Sequence, residues 1–214
     1  MNFKVIQLKM LIMILKFIFT SHPIDTIDTK ATPFLYRREM RRQNMKAREL
    51  ALKVLLDIEE NGNYSNIAIN KHFKNINLNN QDRGLATELI YGVVENKYYL
   101  DYIIDKLSKI KCKKMNIYVK ILLRMGIYQI LLLNSISDYA AVNETVSLVK
   151  KYDKRSSGFV NAILRNVIRQ KDTIGEVDIK DDKIMYLATK YSYSPWMIKN
   201  WINNFSEEFT EDLL

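Results

Sequence analysis

The chain has 214 residues, 48% of them hydrophobic, which is enough for one core and part of a second. A single cysteine, Cys112, excludes an intramolecular disulfide, and with only His22 and His72 beside it a zinc site of cysteine and histidine is all but excluded. The net charge of +9 is unevenly spread: +5 over residues 1–44, +8 over 45–170 and −4 over 171–214. These breaks suggest three segments, and the basic ones point to a polyanion, either nucleic acid or an anionic membrane surface, against the alternative of ordinary solubility charge.

Residues 1–44 open with Lys4, Lys9 and an apolar run from Met10 to Phe19. Lys16 interrupts the run and Ser21-His22-Pro23 makes a poor cleavage site, and the run is also too short for a confident membrane span. Three readings stand: a start read too far upstream, with Met40 or Met45 as the true one; a signal or anchor; and a genuine tail. Next comes "YRREMRRQNMKAR", which holds Arg37, Arg38, Arg41, Arg42, Lys46 and Arg48.

From Met45 the helical period takes over. Ala47, Leu50, Ala51, Val54, Leu55 and Ile58 share one face of a helix that Asn61-Gly62 should stop. A shorter helix follows, with Ser65 or Asn66 as its cap. Asp82 is the expected cap of the next, which buries Leu85, Ala86, Leu89, Ile90 and Val93. Gly92 within it costs about 1 kcal/mol against alanine, which points to close packing or a bend. A further helix carries Leu100, Ile103, Ile104 and Leu107. The stretch from Ile117 to Leu132 is apolar on most sides and belongs at the bundle centre, while Lys120 and Arg124 argue against a membrane span. Asp138 should cap a helix with Ala141, Val142, Thr145, Val146 and Val149 inward, and Phe159, Val160, Ile163, Leu164, Val167 and Ile168 mark the last of the set. Asn143, Glu144 and Asn161 read as buried, satisfied polar groups that fix helix register. The expected fold is all-α, a bundle of about seven helices followed by short connecting helices.

Four stretches, "KARELALKVLLDI", "DRGLATELIYGVVENKYYLDYII", "ILLRMGIYQILLL…AAVNETVSLVKKY" and "GFVNAILRN", resemble the NusB family of RNA-binding helical domains in order and spacing. The resemblance implies a NusB-like domain over residues 45–170 and RNA as the partner, and the single free thiol suits a reducing, cytoplasmic location. Such domains occur as free-standing transcription antitermination factors and as the N-terminal domain of RsmB-type (Sun, Fmu) ribosomal RNA cytosine-5 methyltransferases. Residues 171–214 go beyond the first setting. Tyr191-Ser192-Tyr193-Ser194-Pro195-Trp196 is similar to the connecting segment of the second, with Ser194 as a helix cap, Pro195 at the first helical position, and Trp196, Ile198, Trp201, Ile202 and Phe205 on the apolar side. The alternative is that this helix packs back on the bundle.

In the methyltransferase setting the resemblance implies 16S rRNA as the partner, with S-adenosylmethionine and the catalytic cysteines in a C-terminal domain beyond Leu214. This chain is expected to hold no catalytic residue and no cofactor. Cys112, inside "KIKCKKM", has lysines that could lower its pKa but shows no general base and matches no cysteine motif of the family. The expected RNA contacts are Arg41, Arg42, Lys46 and Arg48 near the first helix, and Lys150, Lys151, Arg155, Arg165 and Arg169, together with Lys154, near the ends of the last two. A further cationic loop holds Lys109, Lys111, Lys113 and Lys114. Arginine suits this role because its planar fork pairs with phosphate and stacks on bases.

Overall fold

The structure is a computed structural model that describes residues 33–214 apart from 75, 77 and 181, with side chains from Ala47 onward. The expectations for residues 1–32 therefore lie outside the described residues. The chain divides into two compact units, Met1–Arg42 and Gln43–Leu214, and the description below concerns the second.

Among the described residues there are eleven α-helices and no strand. The seven that build the bundle are α1 (Pro33–Asn61), α2 (Ser65–Phe73), α3 (Asn80–Glu95), α4 (Lys97–Leu107), α5 (Ile117–Leu131), α6 (Asp138–Tyr152) and α7 (Ser157–Arg169). No described helix is long and apolar enough to cross a membrane.

Helix α5 is the axis. Residues 121–130 are buried without interruption, and α3, α4, α6 and α7 all pack on it. That is the arrangement its all-round apolarity requires. Two glycines allow the tightest approaches. A Cβ on Gly92 of α3 would lie 2.0 Å from Tyr128 Cζ, and one on Gly126 of α5 would lie 2.8 Å from Leu164 of α7. Gly92 thus serves close packing rather than a bend, and it seats a tyrosine whose hydroxyl donates to Glu88 Oε1 at 2.5 Å.

Charge placed in this core is paired. Arg124, buried, makes a two-point contact with Asp101 of α4 (Nε–Oδ1 2.6 Å, Nη2–Oδ2 2.8 Å) and reaches Glu59 of α1 at 3.3 Å. Glu59 also accepts from Lys120 at 2.7 Å and Lys97 at 2.9 Å. Burial alone would raise the Glu59 carboxyl, but the two lysine hydrogen bonds and the Arg124 charge outweigh it and hold the group at about 2. Asp57 gathers Asn61, Asn63, Lys71 and His72 at 2.6–3.3 Å, pinning α2 to the end of α1. Hydrogen bonds from Asn61 and Lys71 lower its pKa to about 2.

Three caps differ from expectation. Asn79, not Asp82, accepts from the Asp82 amide at 2.7 Å, and Asp82 itself is buried in the first turn of α3. Ser137, not Asp138, accepts from Ala140 at the start of α6. Tyr64 occupies the cap position of α2 and makes no side-chain cap bond, so neither Ser65 nor Asn66 plays that part.

Beyond the bundle run α8 (Lys171–Ile174), α9 (Lys183–Lys190), α10 (Pro195–Asn204) and α11 (Glu207–Leu213). The segment leading to α9 is strapped along α4. Tyr99 Oη donates to Gly175 O at 3.3 Å, and Tyr102 Oη accepts from Asp178 N at 3.0 Å. Ser192, at φ 56° in the left-handed region, turns its hydroxyl to accept from Tyr98 N at 3.1 Å. Leu187, Ala188 and Ile198 form a second small core, with Tyr193 edge-on to Trp201 at 5.2 Å. Ser194 stands at the cap position of α10 ahead of Pro195, but its hydroxyl makes no cap bond. Trp196 faces outward, not into this core, because Ile198, Trp201 and Ile202 already fill it.

Candidate nucleic-acid interface

The end of α6 carries Lys150 and Lys151, and a short 3₁₀ turn, Lys154–Ser156, carries Lys154 and Arg155. All four are exposed. Cations at a helix C-terminus complement its partial negative charge, and Asp153 fixes the turn by accepting from Ser156 Oγ at 2.6 Å. Beside them Tyr152 stacks on Tyr118, with ring centroids 5.3 Å apart and planes at 14°. The stack brings the start of α5 to the end of α6. The turn Cys112–Lys114, which directly precedes α5, therefore adds exposed Lys113 and Lys114 to the same end of the bundle. Glu49 of α1 closes the side of this patch: it accepts from Lys151 at 2.6 Å and from Tyr152 Oη at 3.2 Å. The Lys151 hydrogen bond lowers the Glu49 pKa, while burial followed by the Glu49 charge pushes the Tyr152 phenol up to about 12.

Arg165 and Arg169 do not belong to this patch. Helices α6 and α7 run antiparallel from the short link between them, and Lys171 past the end of α7 meets Asp138 at the start of α6 at 3.1 Å. At 1.5 Å per residue Arg169 lies about 18 Å along α7 from Ser157. The six-residue surface expected near the ends of the last two helices is thus two surfaces. In the second, Arg165 Nε donates to Asn161 Oδ1 at 3.2 Å and Arg169 donates to Asn166 Oδ1. Asn161 is half-buried and serves an exposed arginine; it is not a core asparagine.

Arg48 is corrected outright. It is 2% exposed and donates from Nε to Gln129 Oε1 at 2.7 Å, with Glu144 and Asp82 supplying favourable charge. A guanidinium enclosed by helices cannot reach phosphate. The side chains of Arg41, Arg42 and Lys46 lie outside the described residues; the backbone of Lys46 is helical, one turn ahead of Glu49. Cys112 is likewise enclosed. It is buried, its thiol donates to Asp101 at 3.0 Å, and burial followed by Asp101 pushes its pKa up to about 12, against the lowering expected from its lysines. The Tyr118–Tyr152 pair and the role of Glu49 were not anticipated. Each is an unremarkable residue of its own helix, and only tertiary pairing gives it a part in the patch.

The arrangement can hold an extended polyanion across a row of exposed cations, with two aromatic rings beside them. Among the described residues no group of three or more histidines, cysteines and carboxylates could hold a metal ion. The sequence pattern of the NusB family matches residues 45–169. A probable ribosomal RNA small subunit methyltransferase B of Bacillus subtilis (strain 168) is 35% identical over 167 residues, which cover 78% of this chain and 37% of that protein. The transcription antitermination protein NusB of Acetivibrio thermocellus is 32% identical over 127 residues, covering 58% of this chain and 88% of that protein. In fold, the crystal structure of PH0851 superposes with a TM-score of 0.53 at 15% identity, over 79% of this chain and 37% of the other. The chain thus spans little more than a third of the methyltransferase relative, and nearly all of the antitermination one. With the family pattern matching residues 45–169, more than half of the chain, this chain belongs to the NusB family.

Proposed function

We propose that this chain is the RNA-recognition part of a small-subunit ribosomal RNA cytosine-C5 methyltransferase, and that it positions the enzyme on 16S rRNA. One observation carries the reading. The match to the methyltransferase relative runs 167 residues, against 127 for the antitermination relative. The excess is about the size of the connecting helices α8–α11. Those helices are strapped to α4 by hydrogen bonds and have their own small core, so they are a built continuation of the bundle. The basic end of α6 with Lys113 and Lys114 supplies the RNA contacts, and Arg165 and Arg169 supply a second, separate contact.

Methyl transfer is assigned elsewhere. S-adenosylmethionine is held in such enzymes where a strand turns through glycines into a helix. Among the described residues no strand exists to form that turn, so these residues do not fit the cofactor. The second reading, a free-standing antitermination factor, is favoured by the 88% coverage of the Acetivibrio protein.

The test is a chimera in which residues 43–214 replace the matching part of the Bacillus relative. Retained methylation of small-subunit rRNA, lost on charge reversal of Lys150, Lys154 and Arg155, supports the proposal. A folded chimera that methylates equally well after the reversal sinks it.

A further inference from the structure

We propose that Ser192 is a positioning residue that registers the connecting helices on α4, so that bundle and connecting helices behave as one rigid body. Helix α4 lacks a cap of its own. The first amides of a helix have no partner within it and are ordinarily met by a side-chain oxygen just ahead of them. Asn96 holds that position before α4 but makes no cap bond; its Nδ2 donates back to Gly92 O at 2.8 Å and closes α3 instead. The part falls to Ser192, 94 residues on, whose Oγ accepts from Tyr98 N, the second amide of α4, at 3.1 Å.

Ser192 also follows Tyr191, which ends α9, and its φ of 56° is the left-handed turn with which helices commonly stop. Glycine takes that conformation freely and asparagine readily, whereas serine is strained in it. A stop for α9 alone therefore does not account for a serine. The hydroxyl does, since glycine would end α9 and leave Tyr98 N without an acceptor. One side chain thus ends α9 and begins α4, and the two helices pack on each other. A single contact would leave the connecting helices free to swivel, but α4 holds them at further points. Tyr99, Tyr102 and Lys106 lie on one face of α4, at i, i+3 and i+7. Tyr99 Oη donates to Gly175 O at 3.3 Å, Tyr102 Oη donates to Glu176 O at 3.4 Å while accepting from Asp178 N, and Lys106 Nζ reaches Glu176 O at 3.4 Å. From Tyr98 to Lys106 the anchors cover about 12 Å of helix. Helix α4 is itself locked to α5 by the Asp101–Arg124 pair. In the enzyme proposed above, RNA held at the end of α6 and the connecting helices would then keep one fixed relative orientation.

The experiment measures the distance between spin labels at Lys53→Cys on α1 and Lys199→Cys on α10, both exposed positions, in the whole chain carrying Cys112→Ala and free of RNA. Circular dichroism checks that each variant keeps its helices. The labelled chain with Ser192 intact should give one narrow distance. Ser192→Gly, which keeps the turn and loses the hydroxyl, should broaden the distribution by about twofold and speed hydrogen exchange of the Tyr98 amide by about fivefold. Ser192→Asn, which suits the same turn and carries an acceptor, should restore both values. Were Ser192 only the stop of α9, the distribution in Ser192→Gly would be as narrow as in the parent or narrower. A distribution already broad in the parent, one unmoved by Ser192→Gly, or one broadened equally by Ser192→Asn overturns the proposal. No RNA is present and no methylation is read, so failure here and failure of the RNA-recognition reading are told apart.

Discussion

Replacing Gly92 with alanine tests the packing around α5. The new Cβ would sit 2.0 Å from Tyr128 Cζ and 2.3 Å from its hydroxyl oxygen. Ordinary carbon contact is about 3.5 Å, so the ring must retreat by about 1.5 Å. Tyr128 is buried, and the retreat stretches its 2.5 Å bond to Glu88 beyond hydrogen-bond range. Overpacking costs about 1–3 kcal/mol, and loss of a hydrogen bond to a charged group about 1.5–3 kcal/mol. Better helix propensity returns about 1 kcal/mol. The net is about 2–5 kcal/mol, or a Tm lower by about 5–15 °C for a chain of this size. Thermal melting by circular dichroism reads it directly. In a Tyr128→Ala background the same substitution should be neutral or slightly stabilising, since the obstacle is gone. A Gly92→Ala chain that melts at or above the parent temperature would refute the close-packing argument.

Three further outcomes follow from the buried titratable groups. Arg48→Met should destabilise the fold by about 3–5 kcal/mol, since it leaves Gln129 and the nearby carboxylates without their cation; at a temperature where the variant is folded, its RNA affinity should equal the parent's, and a selective loss of affinity would return Arg48 to the interface. Asp57 and Glu59 are held at about 2, below their ordinary 3.8 and 4.5. A depressed carboxylate stabilises above its unfolded pKa and ceases to as pH falls through the folded one, so denaturant-measured stability should be level above about pH 5 and fall between about 4.5 and 2. An Asp57→Asn chain should show a shallower fall, and an identical profile would contradict the network. With its thiol pushed up to about 12, native Cys112 should react with a thiol reagent at pH 8 roughly a thousandfold more slowly than in the denatured chain; comparable rates would show it exposed.

The helix faces were legible because period alone sets them. Ala47, Leu50, Ala51, Val54 and Leu55 are all buried, and the apolarity of residues 121–130 on every side announced a central helix. Caps were less legible, since "NLNNQDRG" offers several capping side chains and only backbone direction selects Asn79. Arg48 was misread as part of a basic run. The available signal was Leu52 and Leu56, both buried, which continue its line at i+4 and i+8. The division of Lys150–Arg155 from Arg165 and Arg169 needs the antiparallel course of α6 and α7, which net charge does not convey. The Tyr118–Tyr152 stack joins residues 34 positions apart on separate helices, and no local pattern encodes it.

The most direct measurement is RNA affinity against salt. Fluorescence anisotropy with a small-subunit rRNA transcript would be run on the parent chain and on a chain with Lys150, Lys154 and Arg155 changed to glutamate. Each phosphate contact adds about 0.9 or, for single strands, about 0.7 to the slope of log affinity on log salt. The account predicts a steep slope for the parent, and for the variant a slope shallower by about 2–3 with weaker binding at every salt concentration. A parent chain with no salt-dependent affinity, or a variant with an unchanged slope, would contradict the claim that this end of the bundle grips RNA.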